Sequence, residues 1–120
     1  MYLDKNNTDD SHKTDWIGIL LETPVADGRH RIIEHLFAPY LINVKHLEIE
    51  KARHIIEDWA EKCEAYSPNR GNINAYIERV CYNADSNKRK PKDLNWFKEN
   101  YKSLYNTIAS LGEAYGIQIE

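Results

Sequence analysis

One stretch of the chain, residues 27–44, decides the fold and reads DGRHRIIEHLFAPYLINV. Its apolar residues recur at helical spacing and form one broad stripe: Ile32, Ile33, Leu36, Phe37, Tyr40 and Leu41. Asp27 is the expected N-cap, because its carboxylate can accept hydrogen bonds from the amides of the first turn. Pro39 falls inside the pattern and is expected to kink or end the helix there, since its nitrogen cannot donate to residue 35.

The rest of the chain also has helical spacing, and few segments alternate with period two, so no sheet is predicted. The expected helices are a short one at residues 16–20 that Pro24 ends, the one just described, one from about Leu47 to Tyr66, one that carries residues 73–81, and one or two between residues 94 and 111. The prediction is an all-α, single compact bundle of about five or six helices at residues 15–120, preceded by a flexible polar tail at residues 1–14.

Composition excludes several classes of protein. The 120 residues allow one domain, and 16 basic against 19 acidic side chains give a formal charge of −3, so any site for a polyanion must be a local patch. No apolar run approaches the roughly 20 residues of a membrane helix, and the start lacks the basic region of a signal peptide. We therefore expect a cytoplasmic protein without a membrane partner.

Motifs for self-contained catalysis are missing from the sequence. Five glycines provide no phosphate-cradling loop, and no zinc, nucleophile or paired-carboxylate pattern occurs. Cys63 and Cys81 lie far apart and are expected to be buried thiols, because free cysteines usually lie in the interior. Two cysteines also cannot build a four-thiolate zinc or iron–sulfur site. The composition thus disfavours an enzyme.

The first of two basic clusters is Arg29, His30 and Arg31, at the start of the helix at residues 27–44. A helix N-terminus favours phosphate, and the planar fork of arginine can donate two hydrogen bonds to it. Basic side chains are unfavourable at this helix end, which suggests that they meet an anion. The alternative is that both arginines are solvated or pair with the acidic face of the third helix.

The second cluster lies in a polar loop predicted at residues 83–92 and consists of Lys88, Arg89, Lys90 and Lys92. Four cations in five residues can contact successive phosphates, and the flanking Tyr82 and Trp96 could stack on bases. The alternative is an ordinary solvated loop. Arg70 and Asn72 form a weaker candidate, because this segment also suits a turn with a capping asparagine.

Three segments together resemble a known family: DGRHRII at residues 27–33, APYLINVK at residues 38–45, and residues 52–56 followed by Trp59 and Cys63. They look like PriX, the small non-catalytic subunit of archaeal DNA primase, and like the C-terminal helical domains of archaeal and plasmid primase-polymerases. The resemblance covers roughly residues 15 to 105. The chain departs from the pattern at Glu34, where an apolar or aromatic residue is expected.

The resemblance implies a fold similar to the C-terminal domain of the primase large subunit, without its iron–sulfur cluster. It implies an accessory, nucleoid-associated protein that binds the initiating nucleotide and the single-stranded DNA template, so that the first dinucleotide can form. It also implies no intrinsic cofactor or metal, with a nucleoside triphosphate as ligand and Mg²⁺ and the catalytic carboxylates on a partner. The implied partners are the catalytic and large primase subunits, or a primase-polymerase catalytic domain in cis.

The family's motif transfers to three residues here, since Asp27, Arg29 and Arg31 match its DGR-x-R pattern. The two arginines would bind the triphosphate, and Asp27 would orient one of them or cap the helix. Charge alone adds His30 to this nucleotide site. Charge also suggests a nucleic-acid site made of Arg70, Asn72, Lys88, Arg89, Lys90 and Lys92.

Two other classes of function compete with this interpretation. One is a docking module that binds a partner protein through aromatic hot spots such as Trp16 and Trp96 and binds no nucleotide. The other is a helix-turn-helix DNA reader, which the sequence disfavours because the helix after residues 67–72 carries a single arginine, Arg79.

Overall fold

The structure, a computed structural model, describes residues 14–68 and 71–114. Within these ranges the chain forms six helices and no strand, as predicted: α1 (Asp15–Leu20), α2 (residues 29–44), α3 (Ile49–Tyr66), α4 (Asn74–Ser86), α5 (Leu94–Asn100) and α6 (Lys102–Ala114). None of these helices is long and apolar enough to cross a membrane. Apart from Thr14, the predicted polar tail at residues 1–14 lies outside the described residues.

Helix α2 continues through Pro39 instead of ending there, because it widens into two π-helical turns. An α-helical turn, Arg29–Ile32, leads into Ile33–Phe37, and Tyr40–Val44 follows the proline. In these turns a backbone amide donates to the carbonyl five residues earlier in the chain. The amide of Lys45, for example, donates to the carbonyl of Tyr40 at 2.9 Å. The wider turn relieves the clash that the proline ring would make with the carbonyl of residue 35 in a regular α-helix, so the helix passes the proline without breaking.

The start of α2 differs from the prediction, and the assignment of Asp27 as N-cap is wrong. Gly28 occupies the N-cap position with φ of 81°, and no side-chain oxygen caps the helix. This left-handed backbone favours glycine, and the site also lacks space, since a Cβ on Gly28 would lie 2.8 Å from Cδ1 of Leu104. Gly28 thus brings the turn before α2 into close contact with α6.

The core surrounds α2, whose apolar stripe is buried against its neighbours. Phe37 meets Trp59 of α3 edge to face, with ring centroids 4.7 Å apart, and the indole nitrogen of Trp59 donates to the carbonyl of Thr23 at 2.9 Å. Both cysteines are free and buried, as predicted. Burial raises the pKa of the Cys63 thiol and raises the pKa of Cys81 to about 11.

Candidate functional site

Arg29 is directed into the protein, where it joins the turn before α2 to the end of α3. Its Nε donates to the carbonyl of Val25 at 3.0 Å, and one terminal nitrogen donates to Glu64 at 2.9 Å. The other terminal nitrogen donates to the carbonyls of Cys63 at 2.9 Å and Ser67 at 2.6 Å. The side chain is 1% exposed. Arg29 therefore pairs with the acidic third helix, as one of the alternatives considered in the sequence analysis proposed.

Arg31 has the opposite environment and lies at the edge of an open cavity of about 280 Å³ between the turn at residues 27–28 and the start of α6. We call this space the Arg31 cavity; it is lined by Asp27, Gly28, Arg31, Tyr101, Lys102, Ser103, Leu104 and Thr107. The Arg31 guanidinium lies over the Tyr101 ring, 4.1 Å from its centroid, and donates to the Tyr101 hydroxyl at 2.9 Å. The contact holds an exposed cation at the mouth of the cavity.

The chemistry of the Arg31 cavity suits an anion. Helix α6 begins at Lys102, which lines the cavity, so the positive end of the helix dipole lies beside it. Lys102 and Arg31 add two charged donors, and Ser103 and Thr107 add hydroxyls. Asp27 contributes the one carboxylate among the lining residues and makes an acceptor available beside these donors.

The two histidines of α2 lie outside the Arg31 cavity. His30 packs on Tyr76 of α4, with ring centroids 4.4 Å apart, and its carbonyl accepts a hydrogen bond from the Tyr76 hydroxyl at 3.1 Å. His35 lies among the aromatic rings of α5, 4.7 Å from that of Trp96, and its Nδ1 is buried without a hydrogen-bond partner. Burial lowers the pKa of His35 below 6.5; nearby cations lower it further, and Glu34 acts in the opposite direction.

The basic loop between α4 and α5 is attached to α2 at His35 and Asn43. The amide of Lys92 donates to the carbonyl of His35 at 3.0 Å. In a regular α-helix residue 39 would donate to this carbonyl, but Pro39 has no amide hydrogen. The side-chain amide of Asn43 donates to the carbonyls of Ala84 at 3.0 Å and Arg89 at 2.6 Å. Residues 38–43, APYLIN, thus help to fix the course of the loop through Asn43.

The cations of this loop face different surroundings. Lys88 and Lys90 are exposed, and the Lys92 ammonium lies 5.2 Å from the centroid of the Trp96 ring. Arg89 is half-buried and reaches back to α2 and α4. Helix α4 extends to Ser86, so the loop begins at residue 87, four residues after its predicted start at residue 83.

A second cavity, of about 200 Å³, lies between α2 and α4. We call it the Glu34 cavity; its lining residues are Glu34, Tyr76, Arg79, Val80, Asn83 and Arg89. The Tyr76 hydroxyl donates to Glu34 at 3.3 Å, and Arg89 lies 3.6 Å from the other oxygen of that carboxylate. Burial, together with the Glu34 carboxylate, raises the pKa of Tyr76 to about 12, so its hydroxyl remains protonated. Its single hydrogen is shared between the His30 carbonyl at 3.1 Å and Glu34 at 3.3 Å.

The structure therefore separates the predicted site residues into groups. Asp27 and Arg31 share a cavity, whereas Arg29 is internal and His30 packs on α4. Asn72 accepts the backbone amide hydrogen of Asn74 at 2.8 Å, the turn role that its sequence also suggested. Arg70 lies outside the described residues.

Sequence reasoning missed Lys102, Ser103 and Thr107, whose only sequence signal was their place at the start of a predicted final helix. It also missed the grouping of Glu34 with Tyr76 and Asn83, because residues so far apart in sequence show no shared motif. Among the described residues, no group of three or more His, Cys, Asp or Glu side chains could hold a metal ion.

Comparison with protein-family models matches residues 12–111 to PriX, described as Primase X. The chain belongs to the Primase X family. A search of curated proteins finds no match. As a Primase X member the chain has a primase-associated role, and residues of the motif that suggested this family, Asp27, Gly28 and Arg31, line one cavity.

Proposed function

We propose that this Primase X chain is a non-catalytic primase component that binds the initiating nucleoside triphosphate and the single-stranded template and so promotes formation of the first dinucleotide. The observation that carries the proposal is the Arg31 cavity. It combines residues of the DGR-x-R motif with the donor-rich start of α6. Family membership supplies the connection to primer synthesis.

In this proposal the triphosphate lies between Arg31 and Lys102. Arg31 is available because its side chain is exposed, and its contact with Tyr101 keeps the guanidinium at the mouth of the cavity. The amides of the first turn of α6 and the hydroxyl of Ser103 would donate further hydrogen bonds to phosphate. Asp27 would accept a hydrogen bond from a sugar hydroxyl or a base amino group.

Arg29 contributes to this site indirectly. Its hydrogen bonds to Val25 and to the end of α3 hold the turn that presents Asp27 and Gly28. Four of its five N–H groups are already used within the protein. We therefore assign triphosphate binding to Arg31 and positioning of the turn to Arg29.

The template strand would follow the basic loop beside α5. Lys88 and Lys90 are exposed and can contact phosphates, while Trp96 with the adjacent Lys92 offers a ring and a cation together. The loop is fixed through His35 and Asn43, so little ordering is required on binding. Strand and nucleotide would then be held on the same side of α2.

The catalytic step would take place on a partner, either the catalytic and large primase subunits or a primase-polymerase catalytic domain in cis, with Mg²⁺ bound there. Initiation joins two nucleotides without a primer to hold them on the template. Binding one of them by its triphosphate converts part of this encounter into a local event, and attachment to the partner raises its effective concentration. Such a component acts in the cytoplasm, at the nucleoid.

The test is an NMR titration of the whole chain with ATP, with and without a short single-stranded DNA. We expect ATP to shift resonances at residues 27–31 and 101–107, and DNA to shift those at residues 88–96. Arg31→Ala and Lys102→Ala should each weaken ATP binding several-fold, while Lys62→Ala, which removes an exposed cation of α3, should leave it unchanged. The proposal also predicts that Arg31→Ala reduces primer initiation by the complete primase more than extension of a preformed primer.

Absence of any shift with ATP and DNA, with and without the catalytic partner, would leave the docking module as the better interpretation. Equal loss of initiation and extension in Arg31→Ala would contradict a specific role in the first step.

A further inference from the structure

The Glu34 cavity lies on the α4 side of α2, and none of its lining residues lines the Arg31 cavity. Its charged lining residues are one carboxylate, Glu34, and two guanidinium groups, Arg79 and Arg89; the amide of Asn83 and the hydroxyl of Tyr76 are also present. Glu34, like Asp27 in the Arg31 cavity, needs a ligand group that donates hydrogen bonds, whereas the two arginines need acceptors. The combination is suited to a neutral ligand that has donors on one edge and acceptors on another.

Glu34 can accept hydrogen bonds beyond those that it makes within the protein. Its side chain is 38% exposed, and one oxygen accepts from the Tyr76 hydroxyl at 3.3 Å. The nitrogen of Arg89 is 3.6 Å from the other oxygen, which is longer than a well-formed hydrogen bond. A carboxylate has about four acceptor positions, so at least two remain for a ligand.

The arginines of the cavity supply the complementary groups. Arg89 is oriented by the oxygen of Asn83, which accepts a hydrogen bond from it at 3.3 Å, and most of its N–H groups remain available. Arg79 lies with its guanidinium carbon 5.3 Å from the centroid of the Tyr76 ring, and it is exposed. A planar guanidinium held in this way offers a surface on which a base can stack.

We propose that the Glu34 cavity binds a guanine base. Guanine has two adjacent donors, N1–H and the N2 amino group, which match the two oxygens of Glu34 as a bidentate pair. Its O6 and N7 are acceptors that match Arg89, the pairing that arginine most often makes with guanine. Adenine and cytosine each offer a single amino donor, and thymine and uracil offer one imide N–H, so none of them satisfies the carboxylate and the arginine equally well.

This inference rests on the proposed function, because it adds base selectivity to a surface that binds nucleotide and single-stranded DNA. The base could belong to the template strand or to a free guanine nucleotide, and both present the same edge.

The experiment measures binding of the whole chain to labelled oligothymidylate and to the same oligonucleotide with a single central guanine, by fluorescence anisotropy. We expect the guanine-containing strand to bind roughly 10-fold or more tightly, the size of one bidentate base contact. Glu34→Gln should reduce this ratio to near one, because the amide offers one acceptor and places an amino group against a donor of guanine. Gln keeps an oxygen that can accept from Tyr76, so the fold should be retained, which thermal unfolding checks.

Glu61→Gln is the matched control, because it removes the same charge from an exposed position on α3 and should preserve the ratio. Competition with GMP, compared with AMP and with inorganic phosphate, distinguishes the source of the base: displacement by GMP indicates a nucleotide site, and selectivity without displacement indicates a template site.

Equal affinity for the two strands, or a preference that survives Glu34→Gln, would overturn the inference. If oligothymidylate and ATP still bind in either case, the proposed function stands and only the guanine site is lost. If neither binds, both fail.

Discussion

Replacement of Arg29 by alanine should destabilise the fold, and the effect can be worked out from its contacts. The substitution removes four hydrogen bonds, one of which is part of an ion pair with Glu64. The carbonyls of Val25 and Cys63 lie in buried contacts, so water cannot easily replace the guanidinium there. Glu64 is 31% exposed and can be rehydrated, which reduces the contribution of the ion pair.

The expected loss in free energy of unfolding is about 3–5 kcal/mol, because the buried carbonyls of Val25 and Cys63 each lose a hydrogen bond to a charged group. Hydrogen bonds to charged groups contribute about 1.5–3 kcal/mol each, but four bonds to one group are not additive. The lower limit already represents a large part of the roughly 5–15 kcal/mol that stabilises a typical domain. It corresponds to a decrease in Tm of about 10 °C or more.

Urea and thermal unfolding, followed by far-UV circular dichroism, measure this difference. Arg29→Lys should be intermediate, because an ammonium group cannot reach the four acceptors in the same geometry. Arg31→Ala is the matched control, since the exposed Arg31 side chain donates to the Tyr101 hydroxyl and its removal should cost about 1 kcal/mol or less. The reasoning is refuted if Arg29→Ala is as stable as Arg31→Ala. In that case, a lower ATP affinity of Arg29→Ala would indicate that Arg29 binds the ligand directly.

Three further predictions concern other parts of the molecule. Gly28→Ala should lower Tm and weaken ATP binding together, because a Cβ meets Leu104 at 2.8 Å on a left-handed backbone, and a variant as stable as the wild type would contradict this. Because the pKa of His35 is lowered in the fold, the unfolded chain takes up a proton before the folded chain does as the pH falls below 6.5, so the free energy of unfolding decreases in this range. His35→Gln should flatten this decrease, whereas His54→Gln, at an exposed position, should not. Both cysteine thiols should be inert to Ellman's reagent at pH 8 until denaturant is added, because they are buried and their pKa values are raised; rapid labelling of the native protein would disprove this.

The helices could be predicted from the sequence because each one buries a stripe whose spacing is local. Helix α3 was expected from about Leu47 to Tyr66 and spans Ile49–Tyr66. The course of α2 at Pro39 was less predictable. A proline shows that a hydrogen bond is missing, but whether the helix ends or widens depends on the packing on both sides of it.

The candidate site was predictable only in part. The motif pointed to the turn at residues 27–31, but two arginines two residues apart project in different directions from a helix. Sequence treats Arg29 and Arg31 alike, whereas the fold buries one against α3 and leaves the other at a cavity. Lys102 became part of the same cavity only because Gly28 allows α6 to approach.

The sequence by itself determined the helical class, the family and the segment that carries the motif, because hydrophobic periodicity and short motifs are properties of neighbouring residues. The tertiary structure alone decided which of the motif's side chains face solvent and which residues from α4 and α6 join them. Pairings such as Glu34 with Arg89, or Arg31 with Tyr101, connect residues far apart in the chain. They depend on how the helices pack, and no local pattern records that.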